Sequence, residues 1–184
     1  MVNEGKKAER GLLVLTAIGR DRPGIVEALS AFVFDRGGSI EDSKMAVLGG
    51  EFAVIMLVEG KEEALARIER EADKAGKKEG LSIALKRTTA GRPFEGPTLA
   101  YELTGTGLDH PGIVYKISHA LREAGANIES VETRARPGAM SGVSVFHAQM
   151  RLAAPAGVSI AELRAALEEV AREQNIDIEI RPAE

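Results

Sequence analysis

Two α+β domains in tandem, each a four-stranded antiparallel sheet covered on one face by two helices, are what this 184-residue sequence predicts. Three observations carry the expectation. The stretch RDRPGIV at residues 20–26 returns as LDHPGIV at residues 108–114. Around each, apolar and β-branched runs give way to helical spacing and back again in the same succession. Between the copies lies TTAGRPFEGP, residues 88–97, whose Pro and Gly content is that of a linker. The chain is therefore divided into a tail (1–10), a first domain (11–87), the linker (88–97) and a second domain (98–184). A period this long marks a duplicated domain rather than a solenoid.

Each copy opens on a strand, LLVLTAI (12–18) or LAYELTG (99–105), by apolar and β-branched content. A helix follows, with Pro23 or Pro111 read as its first residue, where a missing N–H costs nothing. Its buried stripe is read as Ile25, Val26, Leu29, Phe32 and Val33 in the first copy. In the second it is Ile113, Val114, Ile117, Ala120 and Leu121. Gly37 and Gly125 stand where a helix C-terminus takes a left-handed residue. Two strands come next, joined by Gly49–Gly50, a tight-hairpin signal, or by the longer RPGAMSG at 136–142. A second helix covers about 61–77 and 159–174; on the former, Glu63–Arg67 and Arg67–Glu71 have i,i+4 spacing. LSIALK (81–86) or IDIEI (176–180) closes the unit. The order β-α-β-β-α-β is the split, ferredoxin-like arrangement.

The copies differ on the sheet face turned away from the helices. In the first, Leu12, Val14 and Ile18, and Ala53, Ile55 and Leu57, make that face apolar; in the second it carries Ala100, Glu102, Thr104, His147, Gln149 and Arg151. A strand apolar on both faces is one buried on both. The first sheet is therefore expected to be covered by the other domain or by a second chain, the latter giving a homodimer.

Composition removes several functions. Hydrophobic residues make up 44% and charged residues 28%, a globular balance. Cysteine is absent, so disulfides and thiolate metal sites are excluded. A net charge of −4, with basic and acidic residues interleaved, lacks the basic face that grips nucleic acid, so no direct contact with DNA or RNA is expected. No apolar run has the length of a membrane span or a signal peptide, and a cytoplasmic location is the expectation. The three histidines are scattered and form no metal set, GTGLDH (105–110) lacks the third Gly of a dinucleotide fingerprint, and Ser30 and Ser118 have no accompanying His–Asp pair. Neither catalysis nor a cofactor is expected.

The duplicated Asp-x-Pro-Gly turn has two readings. It punctuates a strand-to-helix junction, with Asp favouring the helix dipole. It also has the parts of an amino-acid site: free N–H groups at a helix N-terminus for a carboxylate, glycine for close approach, and Asp21 or Asp109 for an ammonium group.

Strand, Asp-x-Pro-Gly-Ile, helix, Gly-x-x-Ile and hairpin, written twice, resemble the ACT domain, a regulatory amino-acid-binding module. Two such domains without a catalytic one resemble the glycine cleavage system transcriptional repressor group. The resemblance implies that the ligand also meets a polar residue opening the second strand, Asn127 or Ser39. The favoured site is then Asp109, His110 and Asn127, with Gly112 and Ile113 in the turn. Asp21, Arg22 and Ser39, with Gly24 and Ile25, form the weaker one. The implied function is a non-catalytic regulator that binds an amino acid and acts on transcription indirectly through a partner protein. Its rivals are an interaction module with vestigial pockets and, last, the regulatory part of an enzyme.

Overall fold

The computed structural model describes residues 10–89, 91, 94–137 and 142–183. The tail 1–9, part of the linker and most of the RPGAMSG loop lie outside the described residues. Two compact units divide the chain, Met1–Gly91 and Arg92–Glu184. The first contains β1 (Arg10–Arg20), α1 (Ile25–Phe34), β2 (Ser39–Leu48), β3 (Glu51–Lys61), α2 (Glu62–Glu79) and β4 (Ser82–Thr88). The second repeats the order as β5 (Thr98–Leu108), α3 (Ile113–Glu123), β6 (Asn127–Pro137), β7 (Ser144–Pro155), α4 (Ile160–Gln174) and β8 (Ile176–Pro182). The sheets run β2-β3-β1-β4 and β6-β7-β5-β8, with every neighbouring pair antiparallel. This is the ferredoxin-like topology twice over.

Turn chemistry follows the glycines. Gly49 and Gly50, at φ 61° and 84°, make the two-residue hairpin between β2 and β3. Gly37 and Gly125, at φ 82° and 79°, end α1 and α3. The Gly38 and Ala126 N–H groups then reach back to the Val33 and Leu121 carbonyls at 3.1 and 2.9 Å, a Schellman closure in both copies. α4 begins with a full capping box: Glu162 N–H donates to Ser159 Oγ, and the Ser159 N–H donates to the Glu162 carboxylate.

Each unit has its own core, packed between the helices and one sheet face. In the first, Leu13, Leu15, Phe52, Met56 and Val58 meet Ile25, Leu29, Val33, Leu65 and Ile68. In the second, Leu103, Phe146, Met150 and Leu152 meet Ile113, Ile117, Leu121, Leu163 and Leu167. A fully buried side chain of this size contributes roughly 1.5–3 kcal/mol. Gly19 and Gly107 recur because a side chain there has no room. A Cβ at Gly19 would lie 2.6 Å from the Gly80 carbonyl, and one at Gly107 would collide with Ile176.

Three local readings are corrected. Val26 and Val114 do not belong to the buried stripes: they are 46% and 37% exposed, because the next residue after Ile25 or Ile113 turns about 100° off the core face. Pro23 and Pro111 precede the caps rather than open the helices; Gly24 and Gly112, with positive φ, are the N-caps. The Glu63–Arg67 and Arg67–Glu71 pairs do not form. Glu71 instead bridges 2.6 Å to Arg36, whose guanidinium lies 4.1 Å above the Phe32 ring and ties α1 to α2.

Candidate functional site

The two Asp-x-Pro-Gly turns are held from both sides. At the hairpin side, the Asp21 N–H donates to the Gly50 carbonyl and the Asp109 N–H to the Ser144 carbonyl, each at 2.9 Å. At the helix side, the Gly24 and Gly112 carbonyls accept from Ala28 and Lys116 N–H, again at 2.9 Å. Neither glycine brings a side-chain cap, so the first-turn N–H groups of α1 and α3 have no side-chain acceptor from the cap residue. With φ 90° and 102°, these positions favour glycine, and a Cβ at either would meet nothing within 4 Å. Among the described residues, nothing fills the space over either glycine.

The carboxylates of Asp21 and Asp109 are exposed, and among the described residues neither makes a hydrogen bond or ion pair. Their neighbours are committed elsewhere. Arg22 donates to the Glu79 carbonyl at 3.1 Å and to the Glu79 carboxylate at 2.6 Å. His110 places Nε2 2.9 Å from the Gln174 carbonyl and Nδ1 3.2 Å from the Pro111 carbonyl. Glu79 and Gln174 are the last residues of α2 and α4, where a helix presents unpaired carbonyls and partial negative charge. Arg22 and His110 therefore latch each turn onto the end of the second helix. Because both ring nitrogens of His110 face carbonyl oxygens, only the imidazolium donates to both. The Gln174 carbonyl, then that of Pro111, then the Asp109 charge accordingly raise its pKa above the usual histidine value. The Arg22 hydrogen bond, and secondarily Lys78, lowers that of Glu79.

The structure does not bring Asn127 to Asp109 within one unit. Asn127 pairs with Ala153, which lies opposite Ala100 near the start of β5, whereas Asp109 follows the last residue of that strand. Nine residues of strand separate the two levels, about 30 Å. Ser39 and Asp21 are separated in the same way, since Ser39 pairs with Glu59 opposite Leu12. The cause is the crossover: α3 carries the chain back along β5, so β6 starts at the opposite end from the turn. Ile25 and Ile113 are each 2% exposed and anchor their helices in the core, and any ligand would meet their backbone N–H rather than their side chains.

What the turn of the second unit can do chemically is specific. Asp109 offers an acceptor for an ammonium group, and the uncapped α3 terminus offers donors and a partial positive charge for a carboxylate. A second feature was missed by motif reading. A cleft of about 340 Å³ lies on the back of the second sheet, lined by Thr104, Thr106, Glu132, Arg134, His147 and Gln149. There Thr106 Oγ1 and His147 Nδ1 are 3.2 Å apart. The period-two polar alternation of β5 and β7 was its signal; neither Asp109 nor Asn127 lines it. Among the described residues there is no group of three or more His, Asp or Glu suited to a metal ion, and no helix long and apolar enough to cross a membrane.

Comparison with known proteins adds a family. The ACT domain model matches residues 11–86. The glycine cleavage system transcriptional repressor of Escherichia coli (strain K12) is 32% identical over 163 residues, covering 89% of this chain and 85% of the repressor. The repressor of Shigella flexneri matches to the same extent. A solved structure of an unknown protein from Galdieria sulphuraria superposes with a TM-score of 0.81 at 31% identity, over 96% of this chain and all of that one. A candidate glycine cleavage system transcriptional repressor of known structure shares the fold, with a TM-score of 0.72, 23% identity, and 95% and 98% of the two chains covered.

Proposed function

The chain belongs to the glycine cleavage system transcriptional repressor family of tandem ACT-domain proteins, and from that premise we propose that it is a non-catalytic regulator that senses an amino acid and acts on transcription through a protein partner. One observation carries the ligand reading. The exposed carboxylate of Asp109, which among the described residues makes no hydrogen bond or ion pair, stands beside a helix N-terminus without a side-chain cap, and a Cβ at Gly112 would meet nothing within 4 Å. That pair of charges complements a zwitterion. The family's name points to glycine as the first amino acid to test. The acidic balance of the chain favours action through another protein over direct contact with nucleic acid. For ligand to regulate, it must bind one conformation or assembly better than another.

The test is calorimetric titration with glycine and then the other protein amino acids. Asp109→Ala removes a charge-assisted hydrogen bond worth about 1.5–3 kcal/mol, so affinity falls roughly 10- to 150-fold. Asp21→Ala is expected to matter less. Folding of each variant is checked by thermal melting first. A folded Asp109→Ala protein that binds as wild type does refutes the site.

A second reading is favoured by the separation of Asn127 from Asp109 and by the engagement of His110 and Arg22 with helix ends. These leave few side chains around each turn, as in an interaction module that has lost its ligands. Absence of any thermal shift across the amino acids supports that reading instead.

A further inference from the structure

The back of the first sheet is apolar and not covered by its own unit: Ile18 is 54% and Ile55 47% exposed, and Leu12, Val14 and Leu57 are only partly buried. Residues directly opposite in an antiparallel pair share a face, so the registers define rows across the sheet. One row runs Asp42–Leu57–Val14–Lys86 from the β2 edge to the β4 edge. The next runs Lys44–Ile55–Thr16–Ala84, and the one after it Ala46–Ala53–Ile18–Ser82. The first row reads negative, apolar, apolar, positive. Among the described residues, Asp42, Lys44 and Lys86 have no ion-pair partner, whereas Arg87, on the helix side of β4, is paired with both Glu62 and Glu69.

We infer that this face binds the same face of a second copy, about a two-fold axis parallel to the strands between β1 and β3. Such an axis keeps each row at its level and reverses its order. Asp42 then lies over Lys86 of the second copy, Leu57 over Val14, and Ile55 over Thr16. The contact is self-complementary, as a two-fold interface requires, and two Asp42–Lys86 pairs close its opposite edges. Sheets pack face to face about 10 Å apart, a gap that an aspartate and an extended lysine together span. Four strands at ~4.8 Å by about ten residues at ~3.3 Å give roughly 600 Å² on each side, enough for a specific contact. The second sheet lacks this capacity. Its corresponding rows carry Glu132–Gln149–Thr104–Glu179 and Arg134–His147–Thr106–Asp177, which stay hydrated without a partner. The dimer needs no ligand at either turn, so it stands or falls separately from the amino-acid reading.

Sedimentation velocity over ~1–100 µM tests it on the full chain. The 19.6 kDa protein is expected to sediment as a dimer, and Ile55→Asp, at an exposed position, as a folded monomer. Asp42→Lys and Lys86→Asp each place like charges together twice, and each is expected to weaken association about tenfold or more. The double variant Asp42→Lys/Lys86→Asp restores it. A wild type that stays monomeric, or an Ile55→Asp protein that stays dimeric, overturns the interface. A double variant as weak as its parents, with rescue by exchanging Asp42 and Lys44 instead, overturns the axis.

Discussion

Replacing Gly112 with alanine separates the backbone role of the turn from its chemical one. The residue sits at φ 102°, and a Cβ built there meets nothing within 4 Å, so the cost is conformational and not steric. Left-handed backbone costs an L-residue about 1–2 kcal/mol, and the stiffer unfolded chain returns about 0.4–1 kcal/mol. The net loss is about 1 kcal/mol. For a unit of this size that is a fall of about 4–8 °C in the midpoint of the second unit's transition. Gly107→Ala is the contrast. Its backbone is extended, but its Cβ would drive into Ile176, and overpacking of that kind costs about 1–3 kcal/mol. Gly107→Ala should therefore melt at or below Gly112→Ala. Binding should show the reverse order: the methyl at position 112 occupies the space over the uncapped N–H groups, whereas position 107 faces β8. Scanning calorimetry with and without glycine measures both quantities on the same samples. A Gly112→Ala protein with an unchanged midpoint and an unchanged ligand shift would refute the strain and the site together.

Two further outcomes are expected. Ser159→Ala removes one half of the α4 capping box and should cost about 1 kcal/mol, read as a lower urea midpoint with an unchanged slope; Ser159→Asp should retain most of it. His110 has a raised pKa, so its contribution is fully present below the unfolded value near 6.5 and is lost as pH rises through the higher folded value. The gap in melting temperature between wild type and His110→Ala should be wide at pH 6 and narrow by pH 9, while His110→Arg, which copies Arg22, should keep its midpoint over the same range.

Much of the fold was legible because it is local. Gly37 and Gly125, the Gly49–Gly50 hairpin and the apolar, β-branched runs of β1 and β3 each state their conformation within a few residues, and the duplication states it twice. The opposite characters of the two sheet backs were legible for the same reason. Val26 was misassigned because a run of two apolar residues cannot show which one a helix turns inward; only packing onto the sheet core, which takes Ile25, decides. Arg67 illustrates a competition that sequence spacing does not contain, since Glu71 finds the planar guanidinium of Arg36 across the helix pair. Asp109 and Asn127 lie apart within one unit for a topological reason. Both residues flank α3, but a helix of 11 residues displaces its ends by about 17 Å, and its direction sends β6 to the far end of the sheet.

The unequal backs of the two sheets also set a valency. Had duplication left both copies apolar behind, each chain would carry two adhesive faces, and every pairing would leave another free to recruit the next molecule. Such chains concatenate into open polymers. With Glu132, Arg134, His147 and Gln149 hydrating the second face, the proposed dimer uses the apolar back of one sheet per chain, and pairing consumes it. In that dimer, association terminates at the pair.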